Sequence, residues 1–182
     1  MPGLSLTTDR LVLRDFVMSD WQRVHRYASD PEVVKFMDWG PNTVNETKDF
    51  VRMAITLQKD RPRRHFDLAV VTNLENCLIG GCGIYITSPH NREAFIGYCL
   101  SRDSWGQGYA TEAAGRLLSF GFTQLKLHRI FATCDPLNLA SAGVLEKCGM
   151  QLEGRLRENK LIGKRWRDSL VYAILEHEWS SR

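Results

Sequence analysis

Trp105-Gly106-Gln107-Gly108-Tyr109-Ala110-Thr111-Glu112-Ala113 follows a stretch, Ala94 to Ser101, predicted as a strand, and opens a run predicted as a helix to about Gln124. The first turn of a helix leaves N–H groups without intrahelical acceptors, and the macrodipole adds positive potential at the same place. Such a turn suits a phosphate or pyrophosphate. Gly106 and Gly108 lack a Cβ, so an anion can approach the backbone and the turn can take positive φ. Taken alone, the stretch also reads as an ordinary tight turn, and the flanking sequence has to decide.

Outward from that turn, the periodicities define one α/β chain. Leu11 to Phe16 alternates as a strand, and Ser19-x-x-Gln22 has the form of a capping box ahead of Trp21, Val24, His25 and Ala28 at helical spacing. Asp30-Pro31 starts a short helix through about Met37. Asn42-Thr43 caps another, with Phe50, Met53, Ala54 and Leu57 on one face, ended by Arg61-Pro62-Arg63-Arg64. Phe66 to Val71 and Cys77 to Thr87 form a hairpin over the turn Asn73 to Asn76, with Gly80-Gly81 and Gly83 predicting a bulge or bend. Ser88 to Arg92 is a loop. Beyond the glycine turn come a strand at His128 to Thr133, a helix from Asn138 to Lys147 stopped by Gly149, and a hairpin of Met150 to Glu158 and Trp166 to Glu176 across Gly163. The expected fold is a single domain over residues 1–182. It has a mixed, mostly antiparallel sheet of about seven strands, flanked by helices, with one parallel crossover at the glycine turn.

Composition narrows the function. The chain has 182 residues, 43% hydrophobic and 25% charged, with a net charge of +3. That charge is too small to argue for nucleic acid. No apolar run approaches a membrane span, and Met1-Pro2-Gly3-Leu4-Ser5 lacks the basic and apolar regions of a secretory leader. Cys77, Cys82, Cys99, Cys134 and Cys148 are odd in number and include no C-x-x-C. Reduced thiols in a cytoplasm, with no metal, are the expectation.

Ile96-Gly97-Tyr98-Cys99-Leu100, the glycine turn, and Asn138-x-x-Ser141 ahead of Glu146-Lys147-Cys148-Gly149-Met150 together resemble the GNAT superfamily of acyl-CoA-dependent N-acetyltransferases. The resemblance spans nearly the whole chain. It is nearest the RimJ/RimL-type branch, whose namesakes acetylate ribosomal-protein N-termini, through Thr8-Asp9-Arg10-Leu11-Val12-Leu13-Arg14 and Asp168, Tyr172, Glu178 and Trp179. It implies acetyl-CoA as cosubstrate, direct transfer to a primary amine, and central parallel strands splayed to admit the pantetheine arm. It also implies cofactor contacts from Leu100, Arg102, Trp105, Gly106, Gln107, Gly108, Tyr109, Ala110, Thr111, Asn138 and Ser141. Trp105 stands where the superfamily motif has Gln or Arg, which removes one charged contact. A homodimer is an expectation on the same ground.

Acetyl transfer needs a proton acceptor for the amine, donors for the thioester oxygen and weak acid help for the thiolate. The resemblance gives the oxygen to the Leu100 N–H. Leu145 occupies the place of the superfamily's usual acid Tyr, so Ser141 is the substitute, or else an ordinary helix residue. Phe95 stands where related sequences carry a carboxylate. Glu93, on the same strand face, is the candidate base or a solvated strand-end charge. His65 and His90 are further candidates or surface loop residues; His25 is read as packing. Tyr98 lines the acceptor pocket or belongs to the core. Cys99 and Cys134 are read as channel lining, though an acyl-cysteine step is conceivable chemistry. Arg155, Arg157, Lys160, Lys164, Arg165 and Arg167 form either a solvated edge or an attractor for acidic ligands. Trp39 to Thr43 falls where the family builds its acceptor pocket. The preferred acceptor is a protein or peptide N-terminal α-amine. A small-molecule amine (polyamine, amino acid or antibiotic) and a non-catalytic acyl-CoA-binding module are the alternatives.

Overall fold

The computed structural model describes residues 3–180, so Met1 and Pro2 of the opening stretch lie outside the described residues. Its frame is an eight-stranded sheet in the order β1-β2-β3-β4-β5-β6-β8-β7. The strands are β1 (Ser5–Thr7), β2 (Leu11–Asp15), β3 (His65–Thr72), β4 (Leu78–Ser88), β5 (Glu93–Leu100), β6 (Arg129–Cys134), β7 (Gln151–Ile162) and β8 (Arg165–Leu175). Every neighbouring pair is antiparallel except β5–β6. The sequence reading omits β1, a three-residue edge strand too short to show alternation.

Helices α1 (Trp21–Ala28), α2 (Pro31–Val34) and α3 (Val44–Leu57) precede β3, while α4 (Tyr109–Thr123) and α5 (Leu139–Lys147) bracket β6 and α6 (Glu176–Ser180) ends the described chain. Two cores follow from the alternation of the strands. Leu68, Val70, Ile84 and Ile96 face α4, where Leu117, Leu118 and Phe120 meet them. Ala69 and Val71 face the other way, onto Val24 and Tyr27 of α1 and Val51 and Ala54 of α3.

Local chemistry sets the helix starts. Thr43 caps α3 through a reciprocal box with Glu46: the Glu46 N–H donates to Thr43 Oγ1 at 3.3 Å, and the Thr43 N–H donates to Glu46 Oε2 at 2.7 Å. Asp30 caps α2, accepting from the Glu32 N–H at 2.9 Å. The capping box expected at Ser19-x-x-Gln22 does not form. Asp20 takes over instead, buried, accepting from the Val17 N–H at 2.9 Å and from both terminal nitrogens of Arg14 at 2.8 Å. A bidentate guanidinium satisfies a buried carboxylate better than a serine hydroxyl could. The bulge in β4 falls at Ile79, beside the glycine pair, where the register steps from Val70↔Gly80 to Val71↔Leu78. The final hairpin extends further toward its Gly163 turn than its alternation predicts, and the segment after Leu175 turns into α6.

Candidate active site

The parallel pair β5–β6 is short. Its register runs through Glu93↔Arg129, Ala94↔Ile130 and Phe95↔Phe131 and then stops. Beyond that point β5 continues to Leu100 on β4, and β6 continues to Cys134 on β8. The strands therefore part and leave a cleft through the sheet. A cavity of ≈ 840 Å³ runs through it, from the α1–α3 face to Asn138, Ser141 and Leu145 of the α5 segment.

Backbone groups at the cleft follow from the ladder. The Ser101 N–H donates to Ile79 O at 2.8 Å, so alternate residues of β5 bond to β4. The Leu100 N–H therefore points to the edge that β6 has vacated. The Leu100 carbonyl is taken by the Trp105 indole N–H at 2.9 Å. Arg102 lies beyond the strand in a 3-10 turn, Arg102–Ser104, with its side chain exposed.

The glycine turn has the geometry of an anion cradle. Gly106 and Gly108 have φ of 73° and 81°, a region that disfavours any residue with a Cβ. A Cβ on Gly106 would project into open space, and on Gly108 it would meet only Arg10 Nη2 at 3.4 Å. The first i→i−4 bond of α4 runs from the Glu112 N–H to Gly108 O, so the N–H groups of Tyr109, Ala110 and Thr111 precede it. Gln107 folds back, its Nε2 donating to Asp103 O at 3.0 Å.

Arg10 braces this turn. It donates to Gln107 O at 3.0 Å, pairs with Glu112 at 2.7 Å and lies 4.6 Å from the centroid of the Tyr109 ring. Thr8 Oγ1 and the Arg10 N–H also donate to Glu112, at 2.6 and 2.9 Å. Partial burial would raise the Glu112 carboxyl, but these donors outweigh it and hold it below the ordinary glutamate value. The Arg10 guanidinium is half-exposed beside the turn, with Glu112 as its counter-charge.

On the α5 side, Asn138 caps the helix and accepts from the Ser141 N–H at 3.1 Å. Tyr98 reaches across the cleft. Its hydroxyl donates to Ser141 O at 3.2 Å and lies 3.0 Å from Ser141 Oγ. Burial pushes the Tyr98 phenol up, so it stays protonated at neutral pH. Burial also raises the Cys99 thiol to about 12 and the Cys134 thiol to about 11, leaving both as lining rather than as nucleophiles.

The structure does not bring Glu93 to the cleft. It sits at the opposite end of β5 from Leu100, about 23 Å of extended chain away, and Arg129 Nη1 holds it at 2.6 Å. Arg129 also contacts Glu153. His25 Nδ1 lies 3.0 Å from Thr47 Oγ1, tying α1 to α3. His90 stands exposed in the β4–β5 turn.

His65 does belong to the cavity, and so does a residue the sequence reading passed over. Phe66 to Val71 is an apolar run broken only by Asp67, and that lone acid is the signal that could have marked it. Asp67 is 7% exposed, lines the cavity and accepts from the Tyr85 hydroxyl at 2.6 Å. Burial raises its carboxyl, and the Tyr85 hydrogen bond partly offsets this. His65, Tyr85, Phe95 and Phe131 form an edge-and-stack row across the sheet beside it. Trp39, Phe36, Phe50 and Met53 form the opposite wall. The basic hairpin is not a merely solvated edge: Lys160 pairs with Asp38 at 3.1 Å, Arg155 with Asp168 at 2.5 Å, and Arg167 with Asp135 at 3.7 Å.

A twisted sheet split at the only parallel pair among the described residues, with a glycine cradle opening the following helix, defines an acyl-CoA-dependent transferase. The family profile described as "Acetyltransferase (GNAT) domain" matches residues 10–151, and the chain belongs to that family. It is 38% identical to an uncharacterized N-acetyltransferase, YnaD, of Bacillus subtilis (strain 168), over 97% of this chain and 100% of that one. A crystal structure of a GNAT-family acetyltransferase from Bacillus anthracis superposes with a TM-score of 0.86 at 35% identity, covering 96% of this chain and 100% of the other. At 25% identity, over 99% of this chain and 95% of the relative, it is similar to the ribosomal protein uS5-alanine N-acetyltransferase of Escherichia coli (strain K12). The protein is an acetyl-CoA-dependent N-acetyltransferase.

Proposed function

We propose that the acceptor is a singly charged primary amine, preferably the N-terminal α-amine of a protein or peptide. One observation carries this reading. Of the acids lining the cavity, Asp38, Asp135 and Asp168 each pair with a base, whereas Asp67 sits among aromatic walls with only Tyr85 as partner. One ammonium finds a counter-charge there, and the further ammonium groups of a polyamine find none. An apolar first side chain fits the Phe36, Trp39 and Phe50 wall. The relative that acts on ribosomal protein uS5 alanine supports the same acceptor class.

In this reading the turn from Trp105 to Thr111 holds the pyrophosphate with its backbone, and Arg10 adds charge. Leu100 N–H donates to the thioester oxygen, where charge develops in the transition state. Tyr98 and Ser141 supply the proton that the departing thiolate takes up. Residues 1–182 act as one domain, and five cysteines without a disulfide among the described residues suit a reducing cytoplasm. Among the described residues no helix is long and apolar enough to cross a membrane.

A small monoamine is the second reading, favoured by the Lys160–Asp38 bridge beside the cavity. Thiol release from acetyl-CoA tests both, against N-terminal peptides, monoamines, polyamines and aminoglycosides, with Gly108→Trp as a blocked-cradle control. Turnover confined to peptides supports the first reading, and turnover confined to monoamines the second. Preference for polyamines defeats both, and acetyl-CoA binding without any turnover turns the reading to a non-catalytic binding module.

A further inference from the structure

The sheet register builds a glycine shelf between Asp67 and the cleft. Asp67 pairs with Gly83, and Gly83 with Gly97, so the row from β3 to β5 reads Asp67, Gly83, Gly97 on one face. Neither glycine puts a side chain of its own on that face over about 10 Å, two inter-strand spacings; the Tyr85 phenol lies over Gly83, and the Phe95 ring edges Gly97. Beyond Gly97 the parallel pairing has ended, and the cleft begins. Glycine at position 83 also makes the Asp67–Tyr85 contact possible. A Cβ on Gly83 would lie 2.4 Å from the Tyr85 hydroxyl oxygen, so the phenol crosses the space that glycine leaves.

Asp67 presents one free oxygen. Tyr85 holds Oδ1 at 2.6 Å, and no other hydrogen bond reaches the carboxylate. Among the described residues no buried side-chain nitrogen or oxygen lacks a partner. Oδ2, which has none, is therefore open to the cavity that Asp67 lines.

We propose that Asp67 is the catalytic base of this enzyme, contacting the acceptor amine through Oδ2 directly or through one water, and that Tyr85 is its positioning residue. The proposal rests on the amine acetylation read above. As the amine attacks, its lone pair forms the C–N bond and the C–S bond breaks with its electron pair on sulfur. The proton on the attacking nitrogen passes to Oδ2 and from there to solvent, and the thiolate is protonated through the Tyr98–Ser141 hydroxyls, which regain their proton from solvent. A carboxyl raised by burial is a stronger proton acceptor than a solvated one. The titratable groups facing it are Tyr85 from β4, His65 and the more remote Arg63 before it in the chain, and Tyr27 from α1, while Cys82 lies behind it on the α4 side of the sheet.

Asp67→Asn and Tyr85→Phe test this, with 2-phenylethylamine and a short peptide with an unblocked N-terminus as acceptors. Asn keeps an oxygen for the Tyr85 hydroxyl, so folding is preserved; unchanged acetyl-CoA binding and thermal unfolding confirm it. The expected loss in kcat for Asp67→Asn is about 10²–10⁴-fold. Tyr85→Phe removes a bond that lowers the carboxyl, so the acidic limb of its kcat/KM profile moves to higher pH, which a packing role would not produce. Calorimetry adds an arm without turnover: 2-phenylethylammonium, titrated into the CoA-saturated protein, binds about tenfold or more weakly to Asp67→Asn. A variant that keeps the wild-type kcat, pH profile and amine affinity overturns the proposal while amine acetylation stands. Wild-type amine binding that depends on Asp67, without any acetylation, instead defeats the acceptor reading and leaves Asp67 as the amine contact.

Discussion

At the residue scale, the absence of a side chain does as much for the site as its presence. Gly83 has an ordinary strand φ, so alanine there meets no backbone strain; it meets the far end of Tyr85. Shifting that ring breaks its hydrogen bond to the buried Asp67, so Gly83→Ala is expected to cost about 1–3 kcal/mol of stability. The displaced hydroxyl leaves Asp67, and kcat falls about tenfold or more with acetyl-CoA affinity intact. Measuring both separates this from Gly108→Ala. There the positive φ costs roughly 1–2 kcal/mol with any Cβ, and the loss is expected in acetyl-CoA affinity, by about five- to thirtyfold. If Gly83→Ala weakens acetyl-CoA binding and spares kcat, the shelf has been misassigned.

At the element scale, helix starts and the cofactor turn are legible because their determinants lie within a few residues. Thr43 with Glu46, Asp30 with Pro31, and Gly106 with Gly108 each carry their own instruction. What the sequence hides is set by register. Asp67 and Tyr85 are 18 residues apart and meet only because β3 and β4 pair with Asp67 opposite Gly83. Glu93 shares a strand with Leu100, but the strand's length keeps them apart, and the Arg129 opposite it in the parallel pair consumes its charge. The Thr8–Arg10 segment is hidden in the same way. It belongs to the β1–β2 turn, yet its donors converge on Glu112 in the first turn of α4, over a hundred residues later. This clamp has a pH signature. The folded Glu112 carboxyl lies below its ordinary value of 4.5, so its contribution is complete above that value and is lost as pH falls through the lower folded one. Acetyl-CoA affinity measured from pH 7 downward is expected to hold to about pH 5 and then fall. Glu112→Gln should show the weakened affinity already at pH 7, with that step removed.

At the scale of the whole molecule, one rim of the cavity is assembled from segments far apart in sequence. The segment after α2 brings Phe36, Asp38 and Trp39, and the last hairpin brings Lys160, Arg167 and Ser169. Two contacts join these segments. Lys160 Nζ donates to Asp38 Oδ2 across 122 residues of sequence, and Arg167 Nη1 donates to Lys35 O at 3.0 Å. An exposed ion pair of this kind is worth only about 0–1 kcal/mol, too little to hold the fold together. Its consequence should therefore appear in acceptor binding and not in stability. Lys160→Ala and Asp38→Ala are each expected to leave the unfolding temperature within a few degrees and acetyl-CoA affinity unchanged. Each should raise KM for a small monoamine by about two- to fivefold while leaving kcat near the wild-type value. The double variant should cost no more than either single one, since both remove the same bridge. With a peptide acceptor, whose chain must leave past these edges, the same substitutions should leave KM unchanged or lower it. The two acceptor classes then respond in opposite directions to one substitution. If KM rises equally for both, the bridge acts on the cavity's interior walls and not on its entrance.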